Sequence, residues 1–146
     1  MRLTKVKYLA DVNVLIALLD EDHIHHKIVA KWFAASAEDE FGVCAFTEMG
    51  FLRVTTNPKA GLHSIEEALD ALASLNNHAG HRLWPMAEGW AELVEPFRER
   101  VFGHQQITDA YLLGLAVKVG GVLVTLDKAV QYLAGVKYRE NVLVLE

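Results

Sequence analysis

The order of hydrophobic and polar positions along the chain predicts strands that alternate with helices. The strand-like segments are short, rich in apolar or β-branched residues, and separated from the helical stretches by polar or glycine-containing breaks. The predicted strands are Lys7–Ala10, Phe41–Cys44, His81–Trp84, Val122–Thr125 and Val142–Leu145. Because strands that alternate with helices build parallel sheets, we expect an α/β fold with a mainly parallel sheet of about four to five strands flanked by helices.

Helical periodicity fills most of the chain between these strands. Ser64 precedes Glu67 by three residues, the spacing of a capping box, and the residues that follow place an apolar stripe on one helix face. Thr108 is the expected cap of a long helix that ends before Gly120. The predicted helices are Asn13–Leu19, Ile24–Ala37, Thr47–Thr56, one after Ser64, one that carries Trp90 to Val101 on one face, Asp109–Val119 and Lys128–Ala134.

Length and composition predict one globular domain over residues 1–146, with 52% apolar and 23% charged residues. The single cysteine, Cys44, excludes an internal disulfide, and the first residues lack the pattern of a signal peptide. No apolar run reaches the roughly 18 residues that a membrane span requires. We therefore expect a cytoplasmic protein that has no membrane partner.

Four acids occupy comparable places within the predicted strand and helix units. Asp11 ends the first strand, Glu48 follows the second, Asp127 follows the fourth, and Asp109 begins the long helix before that strand. The carboxyl ends of parallel strands form one edge of the sheet, where ligands of open α/β folds bind. We therefore expect at least three of these acids to face one edge.

Each acid taken alone also has a structural explanation, because the helix dipole stabilises an acid in a first helical turn by about 0.3–1 kcal/mol. However, Asp11, Asp109 and Asp127 adjoin apolar runs, where a carboxylate is costly unless a cation neutralises it. Oxygen ligands without cysteine or a convincing histidine pair suit Mg²⁺ or Mn²⁺ better than zinc. The pattern therefore favours a magnesium or manganese site.

The segments that contain these acids resemble PIN-domain ribonucleases, and most closely the VapC toxins of bacterial and archaeal toxin–antitoxin pairs. The matching segments are ADVNVLIALLDEDHIHH, FTEMGFLRVTTNP and GHQQITDAYLLGLAVKVGGVLVTLDK. Together with the order of helices between them, the resemblance spans nearly the whole chain and implies a single PIN-like domain. It also implies four catalytic acids that bind one or two Mg²⁺ or Mn²⁺ ions, and a supporting shell of polar residues. The implied acids are Asp11, Glu48, Asp109 and Asp127, and the implied shell is Asn13, Thr108 and Thr125.

The same resemblance implies a function and partners. It implies an endoribonuclease that hydrolyses RNA phosphodiesters by metal-activated water, is silenced by a cognate antitoxin protein, and forms a homodimer. Two further residues are candidates for contact with substrate or partner. Arg53 lies five residues after Glu48, a poor spacing for a direct pair, and His104 just precedes the Asp109 motif. Both also have ordinary surface or loop explanations.

The net charge of −5 is mild evidence against a protein that wraps nucleic acid by bulk electrostatics. Four metal-binding acids would account for most of that charge, so we expect recognition of a short, shaped RNA segment, or surface supplied by a dimer partner. Three alternatives stay open at this point. They are a catalytically silent PIN-like interaction or RNA-binding module, a housekeeping RNA-processing nuclease, and a phosphotransferase of the haloacid-dehalogenase type. The last is disfavoured because it uses D-x-D where this chain has Asp11-Val12-Asn13.

Overall fold

A five-stranded parallel sheet forms the centre of the molecule. In the computed structural model, which describes residues 4–59 and 63–146, the strands lie side by side in the order β3-β2-β1-β4-β5. Every neighbouring pair is parallel. The strands are β1 Lys7–Ala10, β2 Glu40–Cys44, β3 His81–Trp84, β4 Val122–Thr125 and β5 Val142–Val144. The prediction of an α/β fold with a parallel sheet is therefore confirmed.

Helices cover both faces of this sheet. The α-helices are α1 Val12–Leu19, α2 His26–Ala35, α3 Ala45–Thr55, α4 Ile65–Asn76, α5 Trp90–Val94, α6 Ile107–Val119 and α7 Ala129–Ala134. Short 3₁₀ turns occupy Glu95–Arg100, His104–Gln106 and Arg139–Asn141. In the described part of the chain, no helix is long and apolar enough to cross a membrane.

Alternation of side chains along the central strands divides the core into two halves. Leu9 and Leu123 pack with residues of α5, α6 and α7, whereas their neighbours Ala10 and Val124 pack with residues of α1 to α4. Successive strand residues point to opposite faces, so each central strand contributes to both halves. All four of these residues are completely buried, which fixes β1 and β4 at the centre of the sheet.

Most predicted boundaries fall within about two residues of the observed ones. The capping box of α4 is present, since Glu67 N–H donates to Ser64 Oγ and Ser64 N–H donates to Glu67 Oε1. The predicted helix from Trp90 to Val101 is wrong as a single α-helix. It is α-helical only to Val94 and continues as a 3₁₀ turn, because Pro96 has no N–H to donate to the preceding turn.

The prediction that Thr108 caps the long helix is also wrong. Helix α6 begins at Ile107, and Gln106 is its N-cap residue. The Gln106 side chain instead closes the preceding loop, accepting from Phe102 N–H at 2.6 Å and donating to the Arg100 carbonyl at 3.0 Å. The 3₁₀ turn at His104–Gln106 leads directly into α6, so the helix begins at Ile107, before Thr108.

Candidate functional site

The chain changes direction across the sheet between β1 and β4. From β1 it proceeds outward through β2 to β3, and β5 lies on the other side of β4. This is a topological switch point, where a crevice forms outside the carboxyl ends of the two central strands. Asp11 directly follows β1, and Asp127 follows β4 after Leu126. The expectation that these acids share one edge of the sheet agrees with this topology.

Asp11 is a buried carboxylate held by two donors. Its side chain is 7% exposed and caps α1, where Oδ1 accepts from Val12 N–H at 2.8 Å. Its Oδ2 accepts from the Thr125 hydroxyl, also at 2.8 Å. Burial raises the pKa of Asp11, with a further increase from the negative charge of Asp127, although the two donors oppose the shift. Each oxygen keeps a second lone pair that could face a cation.

The Thr125 hydroxyl connects the polar residues at the ends of the two central strands. While it donates to Asp11, it accepts from Asp127 N–H at 3.1 Å and from Asn13 Nδ2 at 3.5 Å. Asn13 Oδ1 in turn accepts from Leu126 N–H at 3.3 Å. The side chains of Asn13 and Thr125 therefore link the start of α1 to the turn after β4.

Asp109 lies half-buried in the first turn of α6 and is electrostatically coupled to the other two aspartates. Burial is the largest cause that raises its pKa to about 7, and the charges of Asp11 and Asp127 add to the effect. Within residues 4–59 and 63–146, no hydrogen-bond donor or ion-pair partner contacts its carboxylate. Asp109 is thus a poorly compensated acid that faces two others.

Asp127 is the exposed member of this group. Its Oδ1 accepts from Ala129 N–H at 2.9 Å, which ties the side chain to the start of α7. It raises the pKa of both Asp11 and Asp109 through its negative charge. The charges of the three aspartates are therefore coupled, and we call Asp11, Asp109 and Asp127 the aspartate cluster.

Glu48 lies on a neighbouring helix and is not among the charges that raise the pKa of Asp109. It is half-buried in the first turn of α3, after β2, which pairs directly with β1. Close packing joins α3 to α1, since an ideal Cβ on Gly50 would lie 2.6 Å from Val12 Cγ2. The fold thus brings the helix of Glu48 against the residue that follows Asp11.

The other candidate residues are exposed. Thr108 is exposed and, among the described residues, no hydrogen bond connects it to an acid, so its membership of the supporting shell stays a prediction. Arg53 is exposed in the last turn of α3 and forms no ion pair in the part of the chain that is described. His104 is exposed at the start of the 3₁₀ turn before α6.

The donor set of the aspartate cluster fits a hard divalent cation. It consists of carboxylate oxygens, and no described lysine or arginine forms an ion pair with Asp11, Asp109 or Asp127. As the side chains lie, no group of three or more His, Cys, Asp and Glu residues in the described ranges is gathered closely enough to hold a metal. Asp11 and Asp127 instead accept hydrogen bonds from the protein. The chemistry of the cluster, rather than a preformed cage, is what suits Mg²⁺ or Mn²⁺.

An apolar pocket that the sequence pattern did not predict adjoins these elements. Its volume is about 180 Å³, and we call it the aromatic pocket. The lining residues are Phe46, Met86, Trp90, Ile107, Thr108 and Tyr111. A usable signal is present in the sequence, because Phe46 precedes Glu48 by two positions and Tyr111 follows Asp109 by two. The sequence pattern instead assigns Trp90 to the apolar stripe of a single long helix.

The sequence of this chain matches a known protein family over most of its length. The family model of the PIN domain matches residues 8–136. The chain belongs to the PIN-domain family. The family predicted from the sequence is therefore confirmed.

Relatives of this PIN-domain protein carry a consistent name. This chain is 41% identical over 128 residues to Ribonuclease VapC38 of Mycobacterium tuberculosis, and the match covers 86% of this chain and 89% of that protein. It is 36% identical over 126 residues to Ribonuclease VapC44 of the same species, with the same coverage of 86% and 89%. Its fold is similar to a chain in the crystal structure of VapBC2 from Rickettsia felis bound to a DNA fragment from their promoter. That match has a TM-score of 0.62 at 13% identity and covers 97% of this chain and 98% of the other.

Proposed function

We propose that this PIN-domain protein is a metal-dependent endoribonuclease and the toxin of a toxin–antitoxin pair. The observation that carries the proposal is the aspartate cluster at the switch point of the sheet. There burial raises the pKa of Asp109, the charges of Asp11 and Asp127 add to the shift, and no described lysine or arginine forms an ion pair with these acids. The names of the VapC relatives support the choice of RNA as substrate.

Asp11 and Asp109 are the residues that would hold the metal, with Glu48 and Asp127 completing the donor set for one or two Mg²⁺ or Mn²⁺ ions. When bound, such an ion supplies electrophilic stabilisation of the phosphoryl oxygens and a lower pKa for a coordinated water. The raised pKa of Asp109 supports this assignment, because a nearby cation favours the charged form that the other acids disfavour.

The protein's own groups orient the acids for this task. Val12 N–H and the Thr125 hydroxyl each occupy one oxygen of Asp11, which restricts the rotation of its carboxylate. Asn13 supports Thr125 from the start of α1. Glu48, which is half-buried, is suited to accept a proton from the attacking water, and the carboxylates orient that water for in-line attack on the phosphorus.

We further propose that the protein forms a homodimer and that a cognate antitoxin covers the aspartate cluster. The likeness of the fold to a chain of VapBC2 from Rickettsia felis supports an antitoxin partner. Arg53 and His104 are exposed and available for contact with RNA or antitoxin. The only cysteine, Cys44, is buried with a free thiol, which suits the reducing cytoplasm.

The direct test is cleavage of single-stranded RNA by the purified chain in Mg²⁺ or Mn²⁺, with EDTA as control. We expect internal cuts in which water bonds to phosphorus and the P–O3′ bond breaks, which leaves a 5′-phosphate and a 3′-hydroxyl. Because water and not the 2′-hydroxyl is the nucleophile, no 2′,3′-cyclic phosphate forms. Undiminished cleavage in EDTA, or products with 2′,3′-cyclic phosphates, would contradict the proposal. Expression in a bacterial host should arrest growth, and Asp11→Asn should relieve the arrest.

A further inference from the structure

The aromatic pocket has walls that are fixed by the protein's own hydrogen bonds. Trp90 Nε1–H donates to the Ile107 carbonyl at 2.8 Å, and the Tyr111 hydroxyl donates to the Glu88 carbonyl at 2.8 Å. An ion pair between Lys118 and Glu88 holds the same loop against α6. The polar groups of the two large rings are therefore already satisfied, and what they present to the pocket is apolar surface.

The pocket is built on the same helix starts as the candidate acids. Phe46 follows β2 and Met86 follows β3, each by two residues, so both lie at the carboxyl edge of the sheet, as Asp11 and Asp127 do. Ile107 and Tyr111 lie in the first two turns of α6, on the helix face turned away from Asp109. The loop before α5 completes the wall, where Met86 Sδ accepts from Phe46 N–H at 3.4 Å. A nucleotide whose phosphate reaches the aspartate cluster therefore has an apolar pocket at the same edge of the sheet.

Size and lining decide which occupant the pocket suits. Its volume of about 180 Å³ is smaller than the roughly 300–1,000 Å³ of sites that enclose drug-sized ligands, and it fits one planar ring system better than a helix face. Its rim is accessible, since Ile107 is 42% exposed and Met86 is 38% exposed. Aromatic side chains bind single-stranded bases by stacking, which contributes about 1–3 kcal/mol per base without selecting among them.

We propose that the aromatic pocket binds one unstacked nucleobase of the RNA beside the phosphate that is cleaved. The proposal rests on the proposed ribonuclease function. Stacking in this pocket gives the RNA an attractive contact that does not depend on charge, in a chain whose net charge is −5. Since the polar groups of Trp90 and Tyr111 are already occupied, the pocket selects an unpaired base of any identity rather than a particular base.

The test compares variants that keep or remove the aromatic face of Phe46. The probe is a single-stranded RNA oligonucleotide with 2-aminopurine placed at each position in turn, bound to the full chain in Ca²⁺ and followed by fluorescence. We expect Phe46→Leu to weaken RNA affinity about 5-fold or more, the change that corresponds to about 1 kcal/mol, and Phe46→Tyr to retain it. Ile107→Ala should weaken binding too, whereas Ile24→Ala, at a position 86% exposed and outside the pocket, should not. Melting temperatures establish that each variant is folded.

An abasic RNA provides the second arm. Removing the base that occupies the pocket should weaken binding to the parent protein by the same factor, and Phe46→Leu should then cause no further loss. Equal RNA affinity for Phe46→Leu and the parent overturns the base pocket, and if the parent still cleaves RNA, the ribonuclease proposal stands.

Loss of antitoxin binding by Phe46→Leu with unchanged RNA affinity also overturns the base pocket, in favour of a protein side chain as occupant. If the variants bind RNA as expected but the parent shows no metal-dependent cleavage, the base pocket is supported and the proposed ribonuclease activity is contradicted. If the parent does not bind RNA, both proposals are contradicted.

Discussion

The Thr125 hydroxyl donates a hydrogen bond to Asp11 Oδ2 at 2.8 Å, across a sequence separation of 114 residues. Both residues are buried, and they follow or end the two central strands of the sheet. This bond fixes the carboxylate at the centre of the candidate site before any cation is present. It also holds the end of β4, and with it Asp127, in a fixed position relative to Asp11 at the start of α1.

Replacing Thr125 with valine should destabilise the protein by about 1–3 kcal/mol, because a buried carboxylate loses a donor that nothing else replaces. The N–H of Asp127 loses its acceptor in the same change. Thr125→Ser keeps the hydroxyl and should retain most of the stability. Urea unfolding of the three proteins in EDTA measures the difference, and a valine variant as stable as the parent would show that the hydroxyl does not stabilise the fold.

Asp109 should make the stability of the metal-free protein fall as the pH rises. Its pKa of about 7 in the folded chain lies above the ordinary value of 3.8, so between these values the folded state keeps a proton that the unfolded chain has lost. The free energy of unfolding therefore decreases through this interval, and the penalty persists above pH 7. Allowing for solvent screening of this half-exposed group, we expect a loss of about 1–2 kcal/mol.

The variant Asp109→Asn removes this titration. In EDTA it should be more stable than the parent at pH 8, and the difference should shrink toward pH 5, as measured by urea unfolding at each pH. Parallel stability curves for parent and variant would mean that neither burial nor the charges of the other two aspartates raise the pKa of Asp109 in solution.

Gly50 should resist enlargement because α1 and α3 are in close contact there. A Cβ at this position would lie 2.6 Å and 3.3 Å from the two Cγ atoms of Val12, so Gly50→Ala should cost about 1–3 kcal/mol in unfolding free energy. Val12→Ala in the same chain should recover part of the loss. Gly103→Ala is the control, because apart from its chain neighbours no described atom lies within 4 Å of the added carbon. A loss that Val12→Ala fails to reduce would place the strain elsewhere.

Divalent metal should stabilise the protein through the aspartate cluster. At a free Mg²⁺ or Mn²⁺ concentration about tenfold above the Kd, we expect the Tm to rise by about 3–6 °C, measured at constant ionic strength. Asp109→Asn should lose most of this shift, whereas Asp70→Asn, at an exposed position on α4, should keep it. An equal shift in the two variants would indicate that the metal binds outside the cluster.

Much of the fold was predictable because its signals are local. The predicted ranges of β1, β3 and β4 match the observed ones, since short apolar runs between helix caps have few other structures available. The common edge for Asp11 and Asp127 follows from parallel pairing alone. The order of the strands did not follow, because it depends on contacts between segments that are distant in sequence.

Other features could not be predicted from the sequence, because they depend on contacts that form only in the folded chain. Nothing local shows that the Gln106 side chain closes the loop before α6, which made Thr108 the more obvious cap. Likewise, Pro96 ends the helix that begins at Trp90. The predicted apolar stripe runs through α5 and the following 3₁₀ turn as if they were one helix, and it therefore assigns Trp90 to the core although Trp90 lines the aromatic pocket. The hydrogen bonds of Thr125 join three segments and have no signature in the spacing of the residues.

The most direct test of the central claim is a single-turnover RNA cleavage assay in Mn²⁺ with the parent, Asp11→Asn, Asp109→Asn and Asp70→Asn. If the aspartate cluster is the metal-dependent active site, the first two variants should remain folded and lose at least about 100-fold in rate, equivalent to about 2.7 kcal/mol. Asp70→Asn should cleave at the parent rate. Parent-like cleavage by either Asp11→Asn or Asp109→Asn, or an equal loss in all three variants, would contradict the assignment of the active site to this cluster.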